Sequence, residues 1–171
     1  PDDAIVVTES TQVGYWCNVG FPVYAPRTYL TSGYQGTLGF GFPTALGAQV
    51  ANPTRKVVSI NGDGGFMYNV QELATAVQHG INLVTVVFND NAYGNVRRIQ
   101  KERFGGRLIA SDLYNPDFVK LAEAFGVEGI RVEGPEQLKQ ALERSLGAGR
   151  PVLIEVPVGE MPSIWNIIMA G

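Results

Sequence analysis

The fold of this chain is indicated most clearly by the stretch Val57-Val58-Ser59-Ile60-Asn61-Gly62-Asp63-Gly64-Gly65-Phe66. A short run of β-branched and apolar residues leads into a turn with three glycines and one carboxylate. A helical pattern follows at residues 69–79. A strand, a glycine-bearing turn and a helix in this order are typical of an α/β protein that binds its ligand beyond the strand ends.

Strand-like and helical patterns alternate on both sides of this stretch. Further apolar, β-branched runs of strand length lie at residues 5–8, 83–88 and 152–156. Further helical patterns lie at residues 43–51, 95–101, 116–125 and 135–146. The middle strand-like runs are apolar on both faces, which predicts a doubly wound, mostly parallel α/β sheet with helices on both faces in three layers. Residues 15–38 lack a clear pattern and are predicted to form a long functional loop.

Length and composition exclude several classes of protein. The 171 residues suit one domain, which we take as residues 1–171. Thirteen Lys and Arg against 16 Asp and Glu give a net charge of -3, so the chain lacks the basic character of a nucleic-acid-binding protein. No apolar run approaches the ~20 residues that span a bilayer. We therefore expect a cytoplasmic domain without nucleic-acid or membrane partners, in which the single Cys17 is a small buried hydrophobe.

A second turn of the same kind follows the next strand, with the sequence Asn89-Asp90-Asn91-Ala92-Tyr93-Gly94. The free N–H groups at a helix start attract phosphate, but carboxylates in the same turns repel an anion unless a cation lies between them. Asp63 and Asp90 together therefore predict a divalent metal that carries a diphosphate. The alternative is that Asp and Gly occur here only as ordinary turn residues.

Three motifs in this order resemble a known family. The stretch Gly62-Asp63-Gly64-Gly65-Phe66, followed by Asn89-Asp90 and then Gly94, resembles the thiamine diphosphate signature. Upstream, Gly36-Thr37-Leu38-Gly39-Phe40-Gly41-Phe42-Pro43 resembles the aminopyrimidine-binding segment of the same enzymes. From about Ile5 to its C-terminal segment, the chain looks like the C-terminal, diphosphate-binding domain of the acetolactate synthase, pyruvate decarboxylase and benzoylformate decarboxylase superfamily.

The resemblance implies a role for each matching residue. Asp63, Asp90 and the carbonyl of Ala92 would bind Mg²⁺. The carbonyl of Gly36 would accept a hydrogen bond from the pyrimidine amino group, and Leu38 would wedge between the two rings of the cofactor. The residues that would face the diphosphate are Thr11, Gln12, Gly62, Gly64, Gly65, Tyr93, Gly94 and Asn95.

Two positions depart from the family pattern. Asp90 stands where the family usually has Asn, which adds a negative charge to the metal site. Ile99 stands where acetolactate synthases usually carry a Trp that recognises the second 2-oxo acid, which argues against a biosynthetic acetolactate synthase. Elsewhere, Glu72 is expected to brace its helix and His79 to lie near a helix end. A solvated helix face is expected for the basic residues Arg97, Arg98, Lys101 and Arg103, with the alternative that Arg97 and Arg98 rim the entrance of the pocket.

The resemblance implies the cofactor-binding domain of a thiamine diphosphate- and Mg²⁺-dependent decarboxylase or carboligase acting on a small 2-oxo acid. Because the chain begins with Pro1, we expect the C-terminal domain of a longer enzyme, inactive when isolated. The catalytic glutamate, which has no match in this chain, would come from the N-terminal pyrimidine-binding domain of a partner subunit, which predicts a homo-oligomer. FAD would enter only through a missing domain, and residues 159–165 would help to select the substrate. The alternatives are a stand-alone subunit of a two-subunit decarboxylase and a non-catalytic binding module of the same fold.

Overall fold

A parallel sheet forms the centre of the molecule in the computed structural model, which describes residues 1–168. Within those residues its strands are β1 (Ile5–Thr8), β2 (Tyr29–Leu30), β3 (Val57–Gly62), β4 (Val84–Asn89), β5 (Glu128–Arg131) and β6 (Val152–Pro157). Their order in the sheet is β2-β1-β3-β4-β6-β5, and every neighbouring pair is parallel. All-parallel pairing requires helical crossovers, which place helices on both faces of the sheet. The predicted three-layer, doubly wound α/β fold is confirmed.

Helices cover the two faces of the sheet. Their bounds are α1 (Gln12–Gly20), α2 (Gly41–Ala51), α3 (Asp63–Phe66), α4 (Leu73–Gln78), α5 (Gly94–Arg103), α6 (Phe118–Ala124), α7 (Pro135–Leu146) and α8 (Trp165–Ile168). Short 3₁₀ turns lie at Gly33–Gln35 and Val70–Glu72. On one face, buried side chains of α2, α4 and α6 pack against β1, β3 and β4. On the other face, α7 packs its apolar stripe against β4 and β6.

A row of three phenylalanines fastens the Asp63 turn to the core. Phe66, in α3, lies edge-on to Phe42 with ring centroids 5.2 Å apart and to Phe118 at 6.0 Å. All three rings are almost fully buried. Loss of a buried Phe side chain commonly costs about 3–5 kcal/mol, so this contact holds the turn firmly against the sheet.

The prediction of a long loop over residues 15–38 was wrong. Helix α1 occupies Gln12–Gly20, and the two-residue strand β2 follows at Tyr29–Leu30. Helix α1 has no clear apolar stripe by which its sequence could predict it. Its Gly14 packs closely on the chain after β1, because a Cβ there would lie 2.1 Å from the carbonyl oxygen of Glu9. Tertiary packing against β3, rather than local periodicity, therefore fixes this helix. Cys17 on α1 is half-buried rather than fully buried, and burial raises the pKa of its thiol.

Other boundaries differ from the sequence pattern in smaller ways. Residues 69–79 form a 3₁₀ turn followed by α4 instead of one helix. Strand β5 was not predicted, because its side chains are half-exposed and form no apolar run. Helix α7, in contrast, occupies the predicted residues 135–146, begins at a proline and is followed by Gly147.

Candidate functional site

One cavity lies at the carboxyl ends of β1, β3 and β4, where an open α/β sheet binds its ligands. Its volume is about 230 Å³. All the residues predicted for the site line it, namely Thr11, Gln12, Gly36, Leu38, Gly62, Asp63, Gly64, Gly65, Asp90, Ala92, Tyr93, Gly94 and Asn95. Further residues also line it, namely Ser10, Tyr15, Phe88, Val96, Val158 and Met161. The three sequence motifs therefore converge on a single concave surface.

Two carboxylates face each other in this cavity. Asp63 opens α3 directly after β3, is 2% exposed, and accepts a hydrogen bond from the N–H of Gly64 at 2.8 Å. Asp90 follows β4, and one of its carboxylate oxygens accepts from the N–H of Ala92 at 3.2 Å. Asn91, the residue after Asp90, takes a left-handed conformation with φ 54°, which a turn asparagine tolerates well. The two turns thus bring both carboxylates to one place.

The electrostatics of this pair fit a bound cation. Burial, followed by the nearby charge of Asp63, raises the pKa of Asp90 to about 6. Burial also raises the pKa of Asp63. Two like charges this close, one buried and one half-buried, are costly, and a hard divalent cation with oxygen ligands would stabilise both. No three His, Cys, Asp or Glu side chains cluster for a metal in residues 1–168, so backbone, water or ligand oxygens would complete the shell.

Helix starts converge on the same cavity. The first residues of α1, α3 and α5 are Gln12, Asp63 and Gly94, and all three line it. Helix N-termini present free N–H groups and a partial positive charge, which favour an anion. Gln12 is also buried, and its Oε1 has no hydrogen-bond partner in the described chain. The cavity therefore combines a cation-binding pair with an anion-binding set of helix ends, as a metal diphosphate requires.

The glycines of the site are required by close approach between motifs. A Cβ at Gly62 would lie 2.4 Å from Thr11 Oγ1, and a Cβ at Gly64 would lie 2.6 Å from the ring of Tyr93. These separations are too short for any non-bonded contact, so a side chain at either glycine would force the motifs apart. The glycines in the signature hold the end of β1 and the Tyr93 turn against the Asp63 turn.

The loop that carries Leu38 forms another wall of the cavity. Leu38 is half-buried and Gly36 is exposed, and both line the cavity. Gly36 and Gly39 have positive φ, 57° and 81°, so the backbone turns sharply on either side of Leu38. The side-chain amide of Asn69 donates to the carbonyl of Gly39 at 2.7 Å. This geometry presents a bulky aliphatic side chain on a glycine-flanked loop.

A polar network behind the carboxylates was missed from the sequence. Asn115 Nδ2 donates to Asp63 Oδ2 at 2.6 Å and to Asn89 Oδ1 at 2.9 Å. Asn89 Nδ2 donates in turn to the buried Glu155 at 2.9 Å, and Glu155 pairs with Arg131 at 2.8 Å. These contacts fix the orientation of the Asp63 carboxylate from β4, β5 and β6. In the sequence, the one sign of such a network is Asn89, the polar residue that ends the buried strand β4.

Glu9 takes a different place from the residues that follow it. It is 2% exposed and does not line the cavity, unlike Ser10, Thr11 and Gln12. Its carboxylate accepts a hydrogen bond from the N–H of Gly39 at 2.5 Å. Burial raises the pKa of Glu9 to about 7, and the nearby N–H groups act in the opposite direction. A buried, hydrogen-bonded carboxyl group therefore lies directly behind the Leu38 loop.

The basic residues of α5 border a second cavity of about 430 Å³ beside the first. Arg97 and Arg98 line it, and each is paired, with Asp112 and Glu102 respectively. Lys101 pairs with Glu160. The two arginines are half-buried at this cavity, which favours the alternative of a pocket rim over a solvated face for them, whereas Lys101 and Arg103 are exposed as predicted.

The remaining predicted residues lie outside both cavities. Glu72 accepts a hydrogen bond from Thr75 at 2.6 Å within its own helical segment, so its expected bracing role is confirmed. His79 is exposed and caps the C-terminal end of α4, as expected. Ile99 is half-buried on α5.

Within residues 1–168, no helix is long and apolar enough to cross a membrane.

Comparisons with known proteins identify the family of this chain. The family model "Thiamine pyrophosphate enzyme, C-terminal TPP binding domain" matches residues 9–156. The acetolactate synthase of Bacillus subtilis is 41% identical over 158 residues, covering 92% of this chain and 28% of that protein. A probable acetolactate synthase large subunit of Methanocaldococcus jannaschii is 40% identical over 157 residues, covering 91% of this chain and 27% of that protein.

A solved structure has the same fold. It is a thiamine diphosphate-dependent 4-hydroxybenzoylformate decarboxylase from Rhodococcus jostii RHA1, with a TM-score of 0.85 and 37% identity. The match covers 95% of this chain and 31% of that one. The chain thus spans between a quarter and a third of the length of these relatives. It belongs to the thiamine pyrophosphate enzyme family, as a C-terminal thiamine pyrophosphate-binding domain of the acetolactate synthase-like and decarboxylase type.

Proposed function

We propose that this chain holds thiamine diphosphate through Mg²⁺ and forms the cofactor-binding part of a 2-oxo acid decarboxylase or carboligase. The observation that carries the proposal is the cavity in which three separate motifs meet around two facing carboxylates, the buried Asp63 and the half-buried Asp90. Asp63, Asp90 and the carbonyl of Ala92 would bind the metal, and oxygens of the diphosphate and of water would complete its shell. Asp90 supplies a charge where the family usually has an amide, so the site should bind the cation at least as strongly.

Donors around the carboxylates would hold the diphosphate itself. Thr11 and Gln12 come from the start of α1, and the N-terminus of α5 adds its free N–H groups. The Gly62–Asp63 turn lines the same cavity. The residues proposed to face the diphosphate are Thr11, Gln12, Gly62, Gly64, Gly65, Tyr93, Gly94 and Asn95.

The Leu38 loop would hold the thiamine part of the cofactor. Gly36 would accept from the pyrimidine amino group through its carbonyl, and Leu38 would separate the two rings. When bound, thiamine diphosphate supplies the electron sink for loss of the substrate carboxylate. The contribution of this chain is to orient the cofactor and to exclude water from one side of the site.

A partner subunit would complete the site. No glutamate from residues 1–168 lines the first cavity, and Glu9 and Glu72 are engaged elsewhere. We therefore infer that residues 1–171 form the C-terminal domain of a longer enzyme, with the catalytic glutamate supplied by the N-terminal pyrimidine-binding domain of a second subunit. The same surface would serve a stand-alone subunit with a separate partner. Asp63, Asp90 and Leu38 together argue against a module without catalytic function.

The substrate would approach from the side of the second cavity. Met161 lines both cavities, which supports the expected contribution of residues 159–165 to substrate selection. The Nε1 of Trp16 donates to the carbonyl of Pro162 at 3.0 Å, so part of this segment is fastened to α1. A small 2-oxo acid is the proposed substrate class.

Titration calorimetry of the 171-residue chain with thiamine diphosphate tests the proposal. Without a divalent cation, Asp63 and Asp90 face a diphosphate of the same sign, and the affinity should be low. Addition of Mg²⁺ should raise the affinity at least tenfold (about 1.4 kcal/mol), and a chelator should reverse the effect. Equal affinity with Mg²⁺ and with chelator would overturn the metal bridge.

A further inference from the structure

Glu9 is a buried carboxylate that the proposed cofactor contacts do not use. It follows β1 directly, it is 2% exposed, and it lies behind the wall of the first cavity. Carboxylates are rarely buried to this degree unless a partner holds them. Its surroundings therefore indicate what it does.

The carboxylate of Glu9 lies against the N-terminal end of α2. Its Oε1 accepts from the N–H of Gly39 at 2.5 Å, and Gly39 lies two residues before the first residue of α2. Helix α2 is 11 residues long and begins at Gly41, so the carboxylate occupies the favourable position for an acid at a helix start. Leu38 immediately precedes the residue that this hydrogen bond holds.

The peptide groups next to Leu38 are held from two sides. Glu9 accepts from the N–H of Gly39, and Asn69 donates to the carbonyl of Gly39 at 2.7 Å. A Cβ at Gly39 would lie 2.6 Å from Asn69 Nδ2, so the fit around this residue is tight. Because the loop turns through left-handed glycines on either side of Leu38, its own backbone does little to fix it. The two side chains supply that restraint.

Glu9 also contacts the Asp63 turn. A Cβ at Gly65 would lie 2.1 Å from Glu9 Oε2, which leaves room only for glycine at that position. The carboxylate thus contacts the Leu38 loop and Gly65, while its own backbone leads into Ser10 and Thr11 at the cavity. One buried side chain connects the Leu38 loop, the Asp63 turn and the segment that follows β1.

We propose that Glu9 is a positioning residue which, together with Asn69, sets Leu38 at the height in the cavity that the thiamine rings require. This inference rests on the proposed function, because it assigns the consequence of the restraint to the contact of Leu38 with the cofactor. Glu9 acts through the Leu38 loop and touches neither the diphosphate nor the metal.

A comparison of two ligands tests this role in the 171-residue chain. Thiamine diphosphate contacts Leu38, whereas inorganic pyrophosphate reaches only the metal and its donors. The ratio of their dissociation constants, measured by calorimetry with saturating Mg²⁺, therefore reports the Leu38 contact. In the unsubstituted chain thiamine diphosphate should bind more tightly, and Leu38→Ala should reduce that preference by roughly tenfold.

Glu9→Ala should reduce the preference about as much as Leu38→Ala, and the double variant should lose little more. Glu9→Gln keeps a side-chain oxygen for the N–H of Gly39 and should retain most of the preference. Asn69→Ala removes the second restraint and should act like Glu9→Ala, and it carries the test if Glu9→Ala does not fold. Gln49→Ala is the matched control, because Gln49 is a buried amide at the far end of α2, and it should leave the ratio unchanged.

The outcomes separate the two hypotheses. If the unsubstituted chain binds pyrophosphate with Mg²⁺ but shows no preference for thiamine diphosphate, the proposed function is wrong. If that preference exists and Leu38→Ala removes it, while Glu9→Ala and Asn69→Ala keep it, the positioning role is wrong. An additive loss in the double variant would likewise contradict action through Leu38.

Discussion

The buried carboxyl group of Glu9 should make the stability of this domain depend on pH. Burial raises its pKa from an ordinary 4.5 to about 7 in the folded chain. A carboxyl group with a raised folded-state pKa favours folding when it is protonated, so its contribution is fully present below pH 4.5 and is lost as the pH rises through 7. A change of one in pKa corresponds to about 1.4 kcal/mol, so the raised pKa of Glu9 corresponds to roughly 3 kcal/mol of folding free energy.

Urea unfolding followed by far-UV circular dichroism at pH 5 and pH 8 measures this contribution. Glu9→Gln removes the titrating group and keeps the side-chain shape. Part of the contribution is already lost at pH 5, so the unsubstituted chain should lose about 2.5 kcal/mol more free energy of unfolding between the two pH values than Glu9→Gln does. Asp63 and Asp90, whose pKa values are also raised by burial, contribute equally to both proteins and cancel in the comparison. If the free energy of unfolding has the same pH dependence in both proteins, Glu9 is not the group that titrates.

Three further results are expected. Asn115→Ala removes one donor from Asp63 and one from Asn89 and should lower the free energy of unfolding by about 1–3 kcal/mol in urea titrations; a change below about 0.5 kcal/mol would contradict the network. Because large apolar side chains such as Tyr34 and Tyr114 are fully exposed, the chain should form a dimer or a larger species at millimolar concentration, and a strict monomer in sedimentation would count against this. Exchange of the thiazolium C2 proton, followed by NMR with saturating Mg²⁺ and cofactor, should be no faster than in free cofactor, since a missing general acid–base group costs about 10²–10⁴-fold; clear acceleration would place that group in this chain.

The parts of the fold that the sequence predicts well are those with a strong local signal. Strands β3, β4 and β6 are largely buried, and their mainly apolar, β-branched runs reveal them. Helix α7 combines a proline start, a leucine stripe and a following glycine. Strand β2 has only two residues and pairs solely with β1, so its existence depends on a neighbour distant in sequence.

The candidate site divides in the same way. Asp63 and Asp90 could be predicted because each follows a strand whose carboxyl end faces the same edge of the sheet. Asn115 could not, because an asparagine in a loop is an ordinary turn residue, and its partners Asp63 and Asn89 are distant in sequence. The role of Glu9 was hidden for a related reason. A carboxylate after a strand is expected to face the ligand, and only the packing of α2 and Gly65 shows that it is buried behind the cavity.

Asp63 and Asp90 are proposed to hold the diphosphate through a metal. The most direct test is the gain in thiamine diphosphate affinity on adding Mg²⁺, measured by calorimetry in three proteins. In the unsubstituted chain and in Asp90→Asn the gain should be present, because an amide oxygen still binds the metal. In Asp63→Ala it should vanish. Full retention of the Mg²⁺ effect in Asp63→Ala would contradict the account.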